Sequence, residues 1–242
     1  MAGTVREAED RVVLITGATG ALGAVAAERF ARAGARVASV GRELASLNEL
    51  GGQLGIGADR WLAVPGELTD TDAAQAVARA VTDRWDRIDV LLHLVGGWAG
   101  GTPVIDLDHN EIRNMLDQHL WTTLHIVQAV VPGMIERGFG RVLAVSSPFA
   151  AEPGPRGASY ALAKATKEVL IRSLAREVAG SAVTANLVIV RTIDAKGERE
   201  SAPSAKNASW TTPEEIANTL LFLASPAAAA ITGARIPLHS RG

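Results

Sequence analysis

Tyr160 and Lys164 stand four residues apart in Tyr160-Ala161-Leu162-Ala163-Lys164, inside a stretch whose pattern predicts a helix over 157–179. Residues at that spacing share a helix face. A free tyrosine has a pKa of about 10 and is a poor acid or base at neutral pH. A neighbouring ammonium stabilises tyrosinate and lowers that value. The pair can then give a proton to a carbonyl oxygen, or take one from an alcohol. Ser147 lies thirteen residues upstream, where Ser146-Ser147 closes the apolar run Val142–Val145. A hydroxyl at a strand end can polarise the same substrate oxygen; the plainer alternative is a turn serine bonded to its own backbone. Tyr-x-x-x-Lys alone is common on helices and specifies little.

A second motif, far upstream, changes that judgement. Thr16-Gly17-Ala18-Thr19-Gly20-Ala21-Leu22-Gly23 follows the apolar run Arg11-Val12-Val13-Leu14-Ile15 and opens a helical pattern of Leu22, Val25, Ala26, Phe30 and Ala33. Strand, glycine turn and helix in that order make a phosphate cradle. Glycines let the backbone pass close to a phosphate, and helix-start N–H groups and the helix dipole favour its charge. A lone glycine fingerprint is weak evidence. Here its context is right, and the two motifs together indicate a nucleotide-dependent oxidoreductase.

The elements that must position these residues alternate along the chain. Apolar runs predict strands at 11–16, 36–40, 60–65, 88–95, 140–146, 183–190 and 234–238; helical patterns cover 21–33, 43–54, 70–85, 108–137, 157–179 and 212–225. Such alternation implies an α/β fold: one Rossmann-type doubly wound domain over 1–242, with a seven-stranded, mostly parallel sheet and helices on both faces. Val90-Leu91-Leu92 and Leu187-Val188-Ile189-Val190 suit strands buried on both sides. Ligands of such sheets sit beyond the strand C-terminal ends. The glycine turn, Gly96-Gly97, Ser147 and Val190-Arg191 all fall there. Thr212-Pro213-Glu214-Glu215 reads as a capping box with proline in the first turn. Segment 195–210 is polar and poor in core formers, and it spans the gap over the expected ligand site. It reads either as a mobile substrate loop or as an ordinary solvated one.

Composition removes several classes. The 24 basic and 26 acidic residues are interspersed, for a net charge of -2, which leaves no nucleic-acid footprint. The absence of cysteine excludes disulfides, thiolate catalysis and cysteine-bound zinc. His93, His109, His119, His125 and His239 show no metal-ligand pairing, so no metal is expected. No apolar run reaches the ~18 residues of a membrane span, and Met1–Asp10 is polar, without a signal core. A soluble, cytoplasmic protein with no membrane partner is expected.

Over nearly its whole length the chain resembles the short-chain dehydrogenase/reductase family. The resemblance rests on Thr16 to Gly23, Gly96, Ser147, Tyr160, Lys164, and the closing Phe222-Leu223-Ala224-Ser225-Pro226 and Ile231-Thr232-Gly233. It implies Tyr160 as acid/base and Ser147 as the group that positions substrate. It implies that Lys164 lowers the tyrosine pKa and holds the nicotinamide ribose. Implied cofactor contacts fall on Gly17, Thr19, Gly20, Ala21, Leu22, Gly23, Gly41, Arg42, Val95, Gly96, Gly97, Val190 and Thr192. Glu67-Leu68 stands where the family has Asp-Val near the adenine. The family also implies a homodimer or homotetramer built through 108–137 and 157–179.

Several positions depart from the family pattern. His93-Leu94-Val95-Gly96 replaces Asn-Asn-Ala-Gly. The relay asparagine of the long fourth helix is replaced by His119, which keeps the backbone carbonyl and adds an imidazole able to titrate near neutral pH; the alternative is a histidine packed in a helix kink. Val190-Arg191 replaces Pro-Gly, leaving Thr192 for the carboxamide. Arg191 brings a cation near the pyrophosphate or substrate, or else pairs with a surface carboxylate. Val40-Gly41-Arg42 lacks the acidic residue that binds a ribose 2′-hydroxyl. Its arginine suits a 2′-phosphate, so NADP(H) is favoured, with NAD(H) as the alternative.

Three readings of function follow. The first is an NADP(H)-dependent reductase or dehydrogenase of a small-molecule carbonyl or alcohol. The second is a dihydropteridine-reductase-like enzyme, suggested by Gly96-Gly97-Trp98-Ala99-Gly100-Gly101 and opposed by Ser147 and Gly41-Arg42. The third is a catalytically weak NADP-binding sensor, suggested by the changes at 93–95, 119 and 190–191. Trp98, Phe149, Trp210 and Trp121 are candidates to line an apolar substrate pocket.

Overall fold

The computed structural model describes residues 8–238, so His239 lies outside the described residues. Seven strands form one sheet: β1 (Val12–Thr16), β2 (Arg36–Gly41), β3 (Trp61–Pro65), β4 (Val90–His93), β5 (Gly140–Ser146), β6 (Val183–Val190) and β7 (Arg235–Leu238). Their order is β3-β2-β1-β4-β5-β6-β7, and every neighbouring pair is parallel. Parallel pairing forces each return through a crossover, and helices supply it.

All five residues of β1 are buried, and they alternate between two cores. Val12 and Leu14 face one core, with Val81, Ile126 and Ile171 from α3 (Thr71–Trp85), α5 (Thr122–Glu136) and α6 (Ala158–Glu177). Val13 and Ile15 face the other, with Phe30, Leu47 and Leu220 from α1 (Ala21–Arg32), α2 (Leu44–Leu54) and α8 (Pro213–Ala224). Each fully buried aliphatic or aromatic side chain contributes about 1.5–3 kcal/mol. A continuous apolar run is therefore what a strand covered on both faces requires. The chain winds outward through β2 and β3, then returns to the other side of β1 as β4. The crevice beyond β1 and β4 is the switch point of the topology.

The structure corrects some boundaries. Strand 88–95 shortens to β4, because Leu94 to Gly97 leave the ladder, although the Leu94 N–H still donates to Thr16 O at 3.1 Å. Helix 108–137 is α4 (His109–Leu116), a π-helical turn at Asp117–Trp121, and then α5. Segment 195–210 contains a short helix, α7 (Glu198–Ser201), and is tied down by hydrogen bonds. Buried Asp194 accepts from the N–H groups of Glu198 and Arg199 at 2.8 and 2.9 Å. Arg199 forks onto Glu215 at 2.8 and 3.0 Å. The Asn207 amide donates to Glu198 O and Ala202 O. The capping box of α8 forms as expected between Thr212 and Glu215. Among the described residues no helix is long and apolar enough to cross a membrane.

Candidate active site

The glycine turn fills the crevice between β1 and β4. Gly17 has φ +74°, and a Cβ there would lie 3.1 Å from the Leu94 carbonyl carbon. A Cβ on Gly23 would come within 2.2 Å of Gly17 O, so the first turn of α1 packs on the loop only because that atom is absent. Gly20 differs: among the described residues a Cβ there meets nothing closer than Gly17 O at 3.4 Å. Its space is left open by the chain itself. Gly20 also caps α1 without any side-chain hydrogen bond, and the first turn of α1 carries no acid. Free N–H groups facing open space suit the phosphates of a dinucleotide. Leu22 is buried in the core, so it can offer a ligand only its backbone, whereas Ala21 and Thr19 line the outside of the turn.

The other expected cofactor positions surround this crevice. Gly41 ends β2 over Thr19. Arg42 follows it, exposed and without an ion pair to any described residue. Glu67 is exposed, while Leu68 is buried and its carbonyl accepts from His125 Nδ1 at 3.0 Å. Val190 is buried at the end of β6, and Thr192 O accepts from Thr211 N at 3.0 Å. Arg191 is exposed and donates to Ser209 Oγ at 3.1 Å; it makes no ion pair with any described residue.

Tyr160, Ser147, Lys164 and His119 come together, as their placement in the sequence implied. The half-buried Tyr160 ring lies edge-on between His119 (5.9 Å between ring centres) and Phe149 (6.0 Å). Lys164 Nζ sits 5.5 Å from the Tyr160 ring centre and donates to Val145 O at 3.1 Å. Contrary to the expected lowering by Lys164, burial raises the Tyr160 pKa, and the opposing influence is a hydrogen bond with the Ser147 side chain. Burial lowers the Lys164 pKa to about 8, against a raising influence from Glu168. Ser147 is itself buried and accepts from Phe149 N at 3.4 Å.

His119 occupies the π-helical turn and is fully buried. Its Nε2 is 3.0 Å from Gly97 O and 3.4 Å from Gly97 N; the closer partner, a carbonyl, can only accept and so assigns the proton to Nε2, while Nδ1 has no partner among the described residues. A Cβ on Gly96 would strike its ring at 2.4 Å, so the glycine is what admits the imidazole. Burial, then the charges of Lys167 and Lys164, lower its pKa to about 2. This corrects the expectation of an imidazole titrating near neutral pH: in the fold it stays neutral. Its backbone carbonyl accepts from Thr123 Oγ1.

The aromatic candidates divide. Phe149 reaches the Tyr160 ring. Trp98 packs on Gly100 and remains 68 % exposed at the mouth, and Trp210 is half-buried, its carbonyl accepting from Arg199. Trp121 does not join them; it stacks on His125, 6.1 Å between ring centres. One group escaped the sequence reading. Lys167, fully buried, donates to Val95 O at 3.0 Å beside the glycine pair. Its place seven residues after Tyr160, on the same helix face, was the available signal.

Residues 11–205 match the family described as short chain dehydrogenase. The chain belongs to that family. A hydroxy(phenyl)methylsuccinyl-CoA dehydrogenase subunit from Thauera aromatica is 32 % identical over 92 % of this chain and 90 % of its own. A 3-oxoacyl-acyl-carrier-protein reductase from Vibrio cholerae is 30 % identical over 97 % of both chains. Among solved structures, a short-chain type dehydrogenase/reductase from Mycobacterium ulcerans superposes with a TM-score of 0.86 at 26 % identity, covering 95 % of this chain and 88 % of the other. This short-chain dehydrogenase is an oxidoreductase with a Rossmann-like fold, of a family that binds nicotinamide cofactors and acts on small molecules.

Proposed function

We propose that this protein is an NADP(H)-preferring, cytoplasmic oxidoreductase that interconverts a carbonyl compound and an alcohol. The observation that carries the reading is the gathering of Tyr160, Ser147 and Lys164 at the strand ends beside a glycine turn with open space over Gly20. Gly17 to Gly23 would hold the cofactor phosphates, Arg42 the 2′-phosphate and Lys164 the nicotinamide ribose; Gly41, Glu67, Leu68, Val95, Gly96, Gly97, Val190 and Thr192 would complete that site. A bound nicotinamide supplies or accepts hydride.

The protein's own residues manage the proton. Burial keeps the Tyr160 phenol protonated and ready to donate to a substrate oxygen. The Ser147 hydroxyl holds that oxygen in place and favours the charge developing on it. The Lys164 ammonium stabilises the tyrosinate left behind. Phe149, Trp98 and Trp210 supply apolar walls. Exposed Ile135, Leu162 and Val169 on α5 and α6 support a homodimer or homotetramer through those helices.

The test is cofactor oxidation by wild type and Tyr160→Phe against ketones, CoA- and carrier-linked 3-oxoacyl groups, and a quinonoid dihydropterin. The expected result is carbonyl turnover, faster with NADPH than NADH. Tyr160→Phe should lose about 10²–10⁴-fold with NADPH affinity nearly unchanged. Wild-type turnover by the variant refutes the proton-donor role. Preference for the pterin moves the protein to that substrate class.

A further inference from the structure

The acid–base site has an inner neighbour that the reaction described above leaves unused. Lys167 follows Lys164 by three residues on the same face of α6 and is fully buried. Among the described residues each amine has one acceptor: Val145 O for Lys164 at 3.1 Å and Val95 O for Lys167 at 3.0 Å. Apart from Glu168, whose charge favours the Lys164 cation, the groups around them are basic or neutral. From β4 comes His93, fully buried between Thr16 Oγ1 at 2.9 Å and Thr122 Oγ1 at 3.4 Å. From the π-helical turn comes His119, with its unpartnered Nδ1. From α6 come Tyr160 and Glu168, but Glu168 is engaged by Arg235 at 2.6 Å. From α4, Glu111 is taken up by Ser159. Two lysines and two imidazoles thus meet in a buried space where both nearby carboxylates are committed elsewhere.

Two ammonium groups in such a space repel each other strongly, because little water screens them. We propose that Lys167 is a positioning residue of the acid–base pair: its amine and that of Lys164 share one proton at neutral pH, so Tyr160 works beside one cation and not two. Lys164 holds that proton. Lys167 is the neutral amine, donating to Val95 O and keeping a lone pair inside the site. Burial and the Lys164 charge both push its protonation in that direction. Its removal therefore changes the electrostatics felt by Lys164, and through Lys164 those felt by Tyr160, as well as the support of the loop at Val95.

This inference rests on the acid–base reading of Tyr160 and Lys164, but its test needs no turnover. The chain has four lysines, and the other two, Lys196 and Lys206, are exposed. Lysine-selective ¹³C and ¹⁵N labelling of the full chain gives a spectrum simple enough to titrate, with Lys167→Met and Lys167→Arg to assign it. In wild type the Lys167 signal should already be that of a neutral amine at pH 7, and the Lys164 signal should show two inflections, one for each amine. Lys167→Met should leave Lys164 with a single inflection. Lys167→Arg places a permanent cation there, and should move the Lys164 inflection to lower pH by about one unit or more. The alkaline limb of the kcat profile should follow it. Four ammonium signals at pH 7 overturn the proposal, and the wild-type titration decides this by count, without assignment, even if neither variant folds. Failure of proton sharing leaves the Tyr160→Phe result standing, and loss of the Tyr160 role leaves the titration standing.

Discussion

Replacing His119 by asparagine should change how stability depends on pH, by an amount the structure fixes. In the fold, burial and two nearby lysines hold the imidazole at a pKa of about 2. In the unfolded chain it returns to about 6.5. Between these values the unfolded chain binds one proton that the folded chain refuses. Stability from this group is therefore present above pH 6.5 and is lost as pH falls below it, with the loss continuing toward pH 2. The slope approaches 1.4 kcal/mol per pH unit, and integration from pH 7 to pH 5 gives about 2 kcal/mol. Against a total of roughly 5–15 kcal/mol for a folded domain, that is large. His93 is pushed the same way, chiefly by burial. It remains in both proteins and largely cancels from the difference. Urea unfolding at pH 5, 6, 7 and 8 supplies the measurement. The stability gap between wild type and His119→Asn should shift by about 2 kcal/mol from pH 7 to pH 5, against the wild type on the acid side. A gap that does not vary with pH would show that His119 is protonated alike in both states, and the account of its burial would be wrong.

Other perturbations separate fold from chemistry. Gly23→Ala places a Cβ 2.2 Å from Gly17 O and should cost about 1–3 kcal/mol of stability, seen as a lower Tm. Gly20→Ala meets no such contact and should keep its Tm while NADPH titration shows weakened binding. Arg42→Ala should lower NADPH affinity by about 10–100-fold, the worth of a charge-assisted contact, and alter NADH affinity by much less; equal losses for both would remove the 2′-phosphate assignment. Arg199→Ala frees α7 from an ion pair that is largely exposed, so stability should fall by no more than about 1 kcal/mol. Tryptic cleavage after Lys196 and Lys206 should nevertheless speed up, and unchanged cleavage rates would show that Asp194 and Asn207 hold the segment alone.

What the sequence disclosed follows from how local each signal is. Strands of the parallel sheet were legible because burial on both faces demands continuous apolar runs such as Val12 to Ile15. The glycine turn was legible because Gly23 answers a steric demand set by Gly17 and Ala18, within a few residues of it. The π-helical turn at Asp117–Trp121 was not legible. Its residues still read as helix, and the extra residue per turn shows only in which side chain points inward, here His119. The neutrality of that imidazole was hidden for a related reason. It depends on Gly96, Lys164 and Lys167, which lie far from His119 in sequence and meet it only after folding. The tie of 195–210 to α8 was also hidden, since Arg199 and Glu215, sixteen residues apart, each look like an ordinary surface charge when read alone. Lys167 was overlooked because a lysine three residues after another is usually solvated, and only the fold shows this one enclosed.

The scarcity of lysine has a practical side. Lys164 and Lys167 are enclosed within the protein, while Lys196 and Lys206 both stand exposed on the segment that carries α7. Reagents that attack side-chain amines under native conditions would therefore act on that segment and spare the rest of the described surface. Coupling to an amine-reactive resin would anchor the molecule by that one segment. A short bifunctional linker between the two lysines would instead staple that segment to itself across α7, adding a chemical tie to those of Asp194, Arg199 and Asn207 with no change of sequence.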